Sequence, residues 1–236
     1  MTNLSEITVA ILAGGHGTRL RSVVDQKPKV LAEVKDHPFL EYLLHQLNQA
    51  NFKNIVLCTG YLSDQIEKTF GKKYKNLRLF YSQEQKPLGT AGSLRNALPL
   101  LNSETILVMN GDSFCVVDFE KFYKFHREEY SNASIVLASV LDTSSFGKVE
   151  LGSDNGIIGF QEKKAGTGLI NAGIYLIKKK LIEQLLQEKK LSLEHEVFPI
   201  WIGKGFYGYR DNNNFIDIGT PENYEQAEQF FAQYQM

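Results

Sequence analysis

Residues 7–20 read Ile7-Thr8-Val9-Ala10-Ile11-Leu12-Ala13-Gly14-Gly15-His16-Gly17-Thr18-Arg19-Leu20, an apolar run that passes straight into a glycine-rich loop. The run Ile7–Leu12 has the length and β-branched content of a buried strand. Three glycines behind it let the backbone approach a ligand closely and present N–H groups to phosphate oxygens. Arg19 adds a planar, permanently charged fork suited to phosphate. The spacing excludes the two commoner phosphate loops. Gly14-x-x-Gly17 lacks the third glycine of a dinucleotide fingerprint, and no Gly-Lys-Ser/Thr follows as in a P-loop. Taken alone, the stretch also fits a plain glycine turn between a strand and a helix, so its neighbours decide.

Downstream the chain alternates in type. Pro38–Ala50 carries Phe39, Leu40, Leu43, Leu44 and Leu47 at helical spacing, with Pro38 suited to a first helical turn. Asn54–Cys58, Leu77–Tyr81 and Thr105–Met109 read as strands, and Leu62–Phe70 and Ala91–Leu98 as helices. Such alternation predicts a mostly parallel sheet covered on both faces, with ligands at the C-terminal edge of its strands. From about residue 116 the character changes. Ser134–Leu141, Lys148–Leu151, Gly156–Gln161 and Leu169–Ile177 read as antiparallel additions to that α/β core. Helices at Lys179–Glu188 and Pro221–Tyr234 frame a short strand at Asn214–Asp217, and Phe206-Tyr207-Gly208-Tyr209 reads as sheet core. No repeat, low-complexity stretch or linker interrupts residues 1–236, so one domain is expected. Its alternating part would run to about residue 115 and its strand-rich part over about 116–236.

The totals agree with an ordinary globular protein: 236 residues, 43% hydrophobic, 22% charged, formal net charge −1. That balance gives no footing to a nucleic-acid or membrane-surface partner. Two cysteines, Cys58 and Cys115, both in or beside apolar runs, are far from a disulfide framework and fit a reducing compartment. Ile7–Ala13 follows Glu6 without a basic segment and is too short to span a bilayer. A cytoplasmic protein is expected.

Beyond residue 20 the motifs accumulate in order: Pro28-Lys29, then Pro87-Leu88-Gly89-Thr90-Ala91-Gly92, then Asn110-Gly111-Asp112. Together with LAGGHGTRL at 12–20 these resemble the nucleotidyltransferases that make NDP-sugars from a nucleoside triphosphate and a sugar 1-phosphate. The resemblance runs from Ile7 to about Tyr224. Leu20–Val24, Pro38–Leu44, Pro87–Leu94 and Phe215–Tyr224 are most similar to the D-glycero-α-D-manno-heptose 1-phosphate guanylyltransferases. Relatives include mannose-1-phosphate guanylyltransferases and the uridylyl- and thymidylyltransferases acting on glucose 1-phosphate. One departure is plain: the family's Pro-Lys-Pro is here Pro28-Lys29-Val30, which keeps the lysine and puts loop rigidity in doubt.

The resemblance implies a GT-A-like nucleotidyltransferase fold, with GTP and a sugar 1-phosphate as partners. It implies a nucleotide site formed by Leu12, Ala13, Gly14, Gly15, Gly17, Thr18, Arg19, Lys29, Glu84, Leu88, Gly89, Thr90, Gly111 and Asp112, with Arg19, Lys29 and Asp112 catalytic. Asp112 directly follows an apolar strand, and Asp217 follows Asn214-Phe215-Ile216 just before Gly219-Thr220-Pro221, a helix-start signal. Carboxylates at strand ends suit Mg2+, a hard ion held by few protein groups plus substrate phosphates, and the family holds Mg2+ at the matching positions. Read without the family, Asp217 is equally a cap and Asp112 a turn residue. No Ser/His/Asp or Cys/His arrangement stands out. None is required, because the nucleophile is an anionic phosphate oxygen, and positioning with charge cancellation does the work. His16 reads as a variable loop side chain, and the other histidines show no ligand spacing.

For the sugar phosphate the resemblance implies Gly147, Glu162, Lys163, Asn171 and Gly173. Lys163 would neutralise the phosphate and Glu162 and Asn171 would read hydroxyls, although Glu162-Lys163 alone also fits an exposed charged pair. A carboxylate can accept guanine's N1–H and N2–H2 together, and Glu84 is the best placed, with an exposed loop residue as the competing reading. A heptose needs a hydrogen-bonding group at the outer rim, and Glu194, in a helix that Ser192 would cap, is expected there. Glu196 is expected to favour the helix N-terminus. A metal-dependent glycosyltransferase is disfavoured because no Asp-x-Asp occurs. A non-catalytic sugar-nucleotide sensor is disfavoured because Lys29, Asp112 and Asp217 are all present. The sequence leaves oligomeric state open, a homodimer being one option.

Overall fold

The computed structural model describes residues 3–15, 20, 26–161, 164–187, 189–210 and 214–234. In chain order it runs β1 (Thr8–Leu12), a two-strand ladder of β2 (Glu33–Val34) and β3 (His37–Pro38), α1 (Phe39–Gln49), β4 (Asn54–Thr59), α2 (Ser63–Phe70), β5 (Lys73–Tyr74), β6 (Leu77–Gln83), α3 (Gly89–Asn96) and β7 (Thr105–Asn110). The second half continues with β8 (Ser113–Cys115), α4 (Phe119–Glu128), β9 (Ala133–Val140), β10 (Lys148–Leu151), β11 (Ile157–Gln161), β12 (Gly168–Lys178), α5 (Lys179–Glu183), α6 (Phe198–Trp201), β13 (Phe206–Arg210), β14 (Phe215–Asp217) and α7 (Pro221–Phe231).

Ten strands share one sheet. Its main path is β11-β10-β12-β7-β1-β4-β6-β5, with β9 and β13 branching from β12. The centre is parallel: β1 lies between β4 and β7, and β6 follows β4. Successive residues of a strand face opposite sides, and both sides are covered. Val9 and Ile11 belong to the apolar layer that includes α1, α4 and α7, whereas Ala10 faces the layer that includes α3, α5 and α6. The mixed α/β architecture expected from the alternation is what forms.

Three local outcomes differ from expectation for physical reasons. Pro38 lies just outside α1, as its N-cap in extended geometry (φ −56°, ψ 137°), because it also pairs within the β2–β3 ladder. A helix over Phe119–Glu128 was not foreseen in so charged a segment, yet Phe119, Phe122 and His126 fall on one face and are buried. α5 ends at Glu183, well before the expected Glu188, which lies outside the described residues. The second half is antiparallel as expected, with one exception: β13 joins β9 in parallel.

The chain passes from β1 outward to β4 and β6, then returns to place β7 on the other side of β1. That reversal leaves a crevice beyond the C-terminal ends of β1 and β7. Leu12 and Asn110 are register partners there. The Gly111 amide donates to the Leu12 carbonyl at 3.0 Å. A β-carbon at Gly111 would sit 2.8 Å from that oxygen, so only glycine permits this closure.

Candidate functional site

A cleft of about 350 Å3 opens at this crevice. Of the residues expected in a nucleotide site, Leu12, Ala13, Gly14, Gly15, Lys29, Glu84, Gly89, Thr90 and Asp112 line it. Leu88 is buried beside it and Gly111 lies beneath, against β1. His16, Gly17, Thr18, Arg19, Glu162 and Lys163 lie outside the described residues.

Lys29 sits on a single tight turn, Lys29–Leu31, after Pro28 in extended geometry. Val30, standing where the family has a second proline, is 3% exposed, and the turn is closed by the Leu31 amide donating to the Pro28 carbonyl at 2.8 Å. Packing and a hydrogen bond therefore supply the rigidity that a proline ring would have given. The Lys29 ammonium is 2.7 Å from Asp112 Oδ2, and its side chain is only 10% exposed against 41% for Asp112. This is a far more enclosed lysine than a loop cation suggests.

Asp217 arrives by a separate route. β14 pairs with β8, setting Asp217 opposite Ser113, and the Ile218 amide donates to the Asp112 carbonyl at 2.9 Å. The two aspartates thus come from strands more than a hundred residues apart and meet at one edge. Asp217 Oδ1 accepts the Gly219 amide at 2.7 Å. Burial, and next the Asp112 charge, hold the Asp217 carboxyl above the usual carboxylate range, with Lys29 pulling the other way. A buried carboxyl whose proton affinity a neighbouring carboxylate raises is a place where a cation relieves the repulsion.

Glu84 follows β6. Its Oε2 accepts the Leu88 amide at 3.2 Å, and its carboxylate lies against the backbone of Gly14 and Gly60, where a β-carbon would meet Oε1 at 3.0 and 2.8 Å respectively. The first turn of α3 is covered by the chain itself. The Leu191 carbonyl accepts from Ala91 and the Leu191 amide donates to Leu88, at 3.0 and 2.8 Å.

The expected sugar-side residues divide. Asn171 turns inward: its amide donates to the Tyr175 hydroxyl and accepts the Gly173 N–H, both at 2.8 Å, closing an irregular step in β12. Gly173, at φ +76°, backs onto Asn110 and Ser113. Gly147 precedes β10 beside the Gln161 carbonyl. None of the three lines the glycine-loop cleft. Glu194 lies in the turn Leu193–Val197 that Ser192 caps as expected, and its Oε2 accepts from Thr90 and Ser192 at 2.9 and 2.8 Å. Its carboxylate thereby ties that turn to α3. Glu196 closes back onto the Ser192 amide at 2.7 Å, a reciprocal cap.

Sequence reasoning passed over Val30, Pro87, Ser93, Asn110 and Lys190, which also line the cleft. Asn110 stood inside the quoted Asn-Gly-Asp motif, and its Oδ1 is buried without a hydrogen-bond partner. Lys190 gave no signal beyond a basic pair with Lys189. Among the described residues no cluster of three or more metal-ligating side chains forms, and no helix is long and apolar enough to cross a membrane.

Comparison with known proteins gives the chain its relatives. Residues 8–234 match the family described as "Nucleotidyl transferase". A D-glycero-alpha-D-manno-heptose 1-phosphate guanylyltransferase of Aneurinibacillus thermoaerophilus is 34% identical, over 95% of this chain and 98% of its own. A mannose-1-phosphate guanylyltransferase of Mycobacterium tuberculosis is 33% identical, over 93% of this chain and 63% of its own. The crystal structure of HddC from Yersinia pseudotuberculosis, complexed with GMP-PN, superposes with a TM-score of 0.85 at 33% identity, covering 95% of this chain and 99% of that one.

Proposed function

Because the chain belongs to the nucleotidyl transferase family, we propose that it joins GTP to a sugar 1-phosphate, giving a GDP-sugar and pyrophosphate. The observation that carries the reading is the meeting of Lys29, Asp112 and Asp217 beside Gly14 and Gly15 at the mouth of one cleft. A sugar-phosphate oxygen attacks the α-phosphorus of GTP. The new P–O bond forms as the bond to the β-phosphate oxygen breaks, and pyrophosphate leaves with the bonding pair. No side chain has to move a proton.

This chain's residues position and neutralise. The amide of Gly15, with Gly17 and Thr18, cradles the triphosphate, while Gly14 lies beside Glu84 on the base side; Lys29 and Arg19 offset the charge, and Glu84 receives the base. Lys163 and Glu162 take the incoming sugar phosphate, with Gly147, Asn171 and Gly173 shaping that side. Residues up to about 115 serve mainly the nucleotide, and about 116–236 mainly the sugar phosphate, within one domain. The oxygen donors of Asp112 and Asp217 fit Mg2+, the rest of its shell coming from substrate and water. Bound there, Mg2+ would supply charge neutralisation at the reacting phosphate. GTP as substrate suits a cytoplasmic setting.

For the sugar, a heptose 1-phosphate of manno configuration is favoured by the guanylyltransferase relative matched over nearly its whole length. Mannose 1-phosphate is the second reading, favoured by the mycobacterial relative at 33% identity. The test is pyrophosphate release in a matrix of GTP, ATP, CTP, UTP and dTTP against heptose, mannose and glucose 1-phosphates. Highest kcat/KM with GTP and heptose 1-phosphate is expected. Preference for UTP or dTTP would overturn the guanylyl reading, and preference for a hexose only the heptose one.

A further inference from the structure

We propose that Lys190 reads the base, contacting the O6/N7 edge of guanine opposite the Glu84 carboxylate. The assignment rests on the guanylyl reading above and adds a specificity residue to it.

The cleft has an internal polarity. Lys29, with Asp112 and Asp217, marks where phosphates and their counter-ion belong. Glu84 marks where phosphates do not belong, because a carboxylate repels them. The part of the nucleotide beside Glu84, Pro87, Gly89 and Thr90 is therefore its uncharged part, and Lys190 lines the same cleft.

Lys190 is held there by its main chain. The neighbouring Leu191 exchanges hydrogen bonds with Leu88 and Ala91 at 2.8 and 3.0 Å, and the Lys189 carbonyl lies so close to α3 that a β-carbon on Gly92 would meet it at 2.6 Å. The strip 189–191 is thus fixed against the first turn of α3 on both sides of Lys190. Its own side chain is exposed, so the strip is held by main-chain contacts of its neighbours.

Guanine presents donors at N1 and N2 and acceptors at O6 and N7. A carboxylate complements the first set and an ammonium the second. Adenine turns its N6 donor to the ammonium where guanine has O6 and its N1 lone pair to the carboxylate, leaving only the N7 contact in place. Rejection then comes from mismatched polar groups as much as from lost attraction.

The test uses Lys190→Met and Lys190→Arg in the full chain, assayed with GTP, 7-deaza-GTP (which lacks the N7 acceptor) and UTP. Thermal melting confirms folding, as expected for an exposed position. In Lys190→Met, kcat/KM for GTP should fall about 10- to 100-fold, the worth of one charged hydrogen bond. UTP turnover should stay within about 2-fold, and the wild-type penalty for 7-deaza-GTP should vanish. Lys190→Arg should keep most of the GTP preference. A parallel fall for GTP and UTP would make Lys190 a phosphate contact and overturn the assignment, and so would unchanged GTP selectivity. A wild type that prefers UTP overturns the guanylyl reading and this assignment together. A GTP-selective wild type whose selectivity survives Lys190→Met overturns only this one.

Discussion

Gly89 and Gly15 both line the cleft, and replacing each by alanine separates what the backbone needs from what the ligand needs. Gly89 has φ +72°, and its β-carbon would lie 2.5 Å from the Leu191 carbonyl oxygen, 3.0 Å from the carbonyl carbon and 3.3 Å from the Leu191 nitrogen. These are backbone atoms in a strip hydrogen-bonded to Leu88 and Ala91, so none can swing aside. The left-handed conformation costs an L-residue about 1–2 kcal/mol, and forcing a methyl into a packed seam adds about 1–3 kcal/mol. Gly89→Ala should therefore lose about 2–5 kcal/mol, a fall in Tm of roughly 4–20 °C for a chain of this length. Among the described residues no atom lies within 4 Å of the would-be β-carbon of Gly15, and its φ is not left-handed. Gly15→Ala should stay within about 0.5 kcal/mol of wild type yet lose turnover, since the methyl occupies the space of the phosphates. Urea unfolding followed by Trp201, the only tryptophan and 8% exposed, reads both. A Gly89→Ala protein unfolding at the wild-type urea concentration would refute the argument about the strip.

Other outcomes follow from the charges. Lys29→Met should lower turnover by about 100-fold or more while destabilising by only about 1 kcal/mol, because the partner Asp112 keeps solvent access; turnover within 2-fold of wild type would make Lys29 structural. Asp217, with its carboxyl raised by burial and by Asp112, contributes stability that is full below the ordinary carboxylate range and lost as pH rises. Asp217→Asn should therefore melt higher than wild type at pH 7 without metal. Mg2+ at ten times its Kd should stabilise wild type by about 1.4 kcal/mol and leave the variant unmoved; equal Mg2+ shifts would remove Asp217 from the metal site. Burial, and then the Lys178 charge, push His126 from its ordinary 6.5 down to about 4. Its contribution is complete above pH 6.5 and is lost as pH falls toward 4, at about 1.4 kcal/mol per pH unit. Between pH 7 and 5 wild type should lose about 2 kcal/mol more than His126→Gln by urea titration, and parallel losses would show that His126 does not titrate alone.

How much was readable in advance depends on the range over which each feature is specified. The strands of the parallel centre were legible because a strand buried on both faces is a near-continuous apolar run, as in Ile55–Cys58 and Ile106–Met109. α4 was missed because seven of the ten residues in Phe119–Glu128 remain outside the core. An Asp118 cap on the Lys121 amide, with aromatics at 119 and 122, was the local signal available. β8, only three residues long, falls in a stretch for which no element was expected. In the cleft, Lys29, Glu84 and Asp112 were found because each adjoins a motif that positions it. Lys190 was not, because main-chain hydrogen bonds of Leu191 to another element put it there, and those leave no trace in side-chain pattern. Asn171 and Glu194 show the converse. Their residue types suit hydroxyl recognition, yet their polar atoms already have partners within the fold.

The partners of α3 also constrain how a nucleotide can enter. A helix N-terminus is a ready anion site, but here the Leu191 carbonyl takes the Ala91 amide and Glu194 takes the Thr90 hydroxyl. That terminus offers a triphosphate little, and an acid stands beside it. At the other end Lys29 brings one positive charge against the two negative charges of Asp112 and Asp217, and Glu84 and Lys190 cancel along the wall. Among the described residues the site therefore carries no surplus of positive charge for a strongly anionic ligand. In the proposed reaction the loop amides, Arg19 and a divalent cation would have to balance the phosphates. The acidic pair would hold that cation best once phosphate oxygens complete its shell. Metal and triphosphate would each improve such a site for the other, and linkage would make the gain reciprocal. On the proposed reading, a nucleotide that carries its Mg2+ in with it would meet a balanced site, whereas a bare one would meet two aspartates.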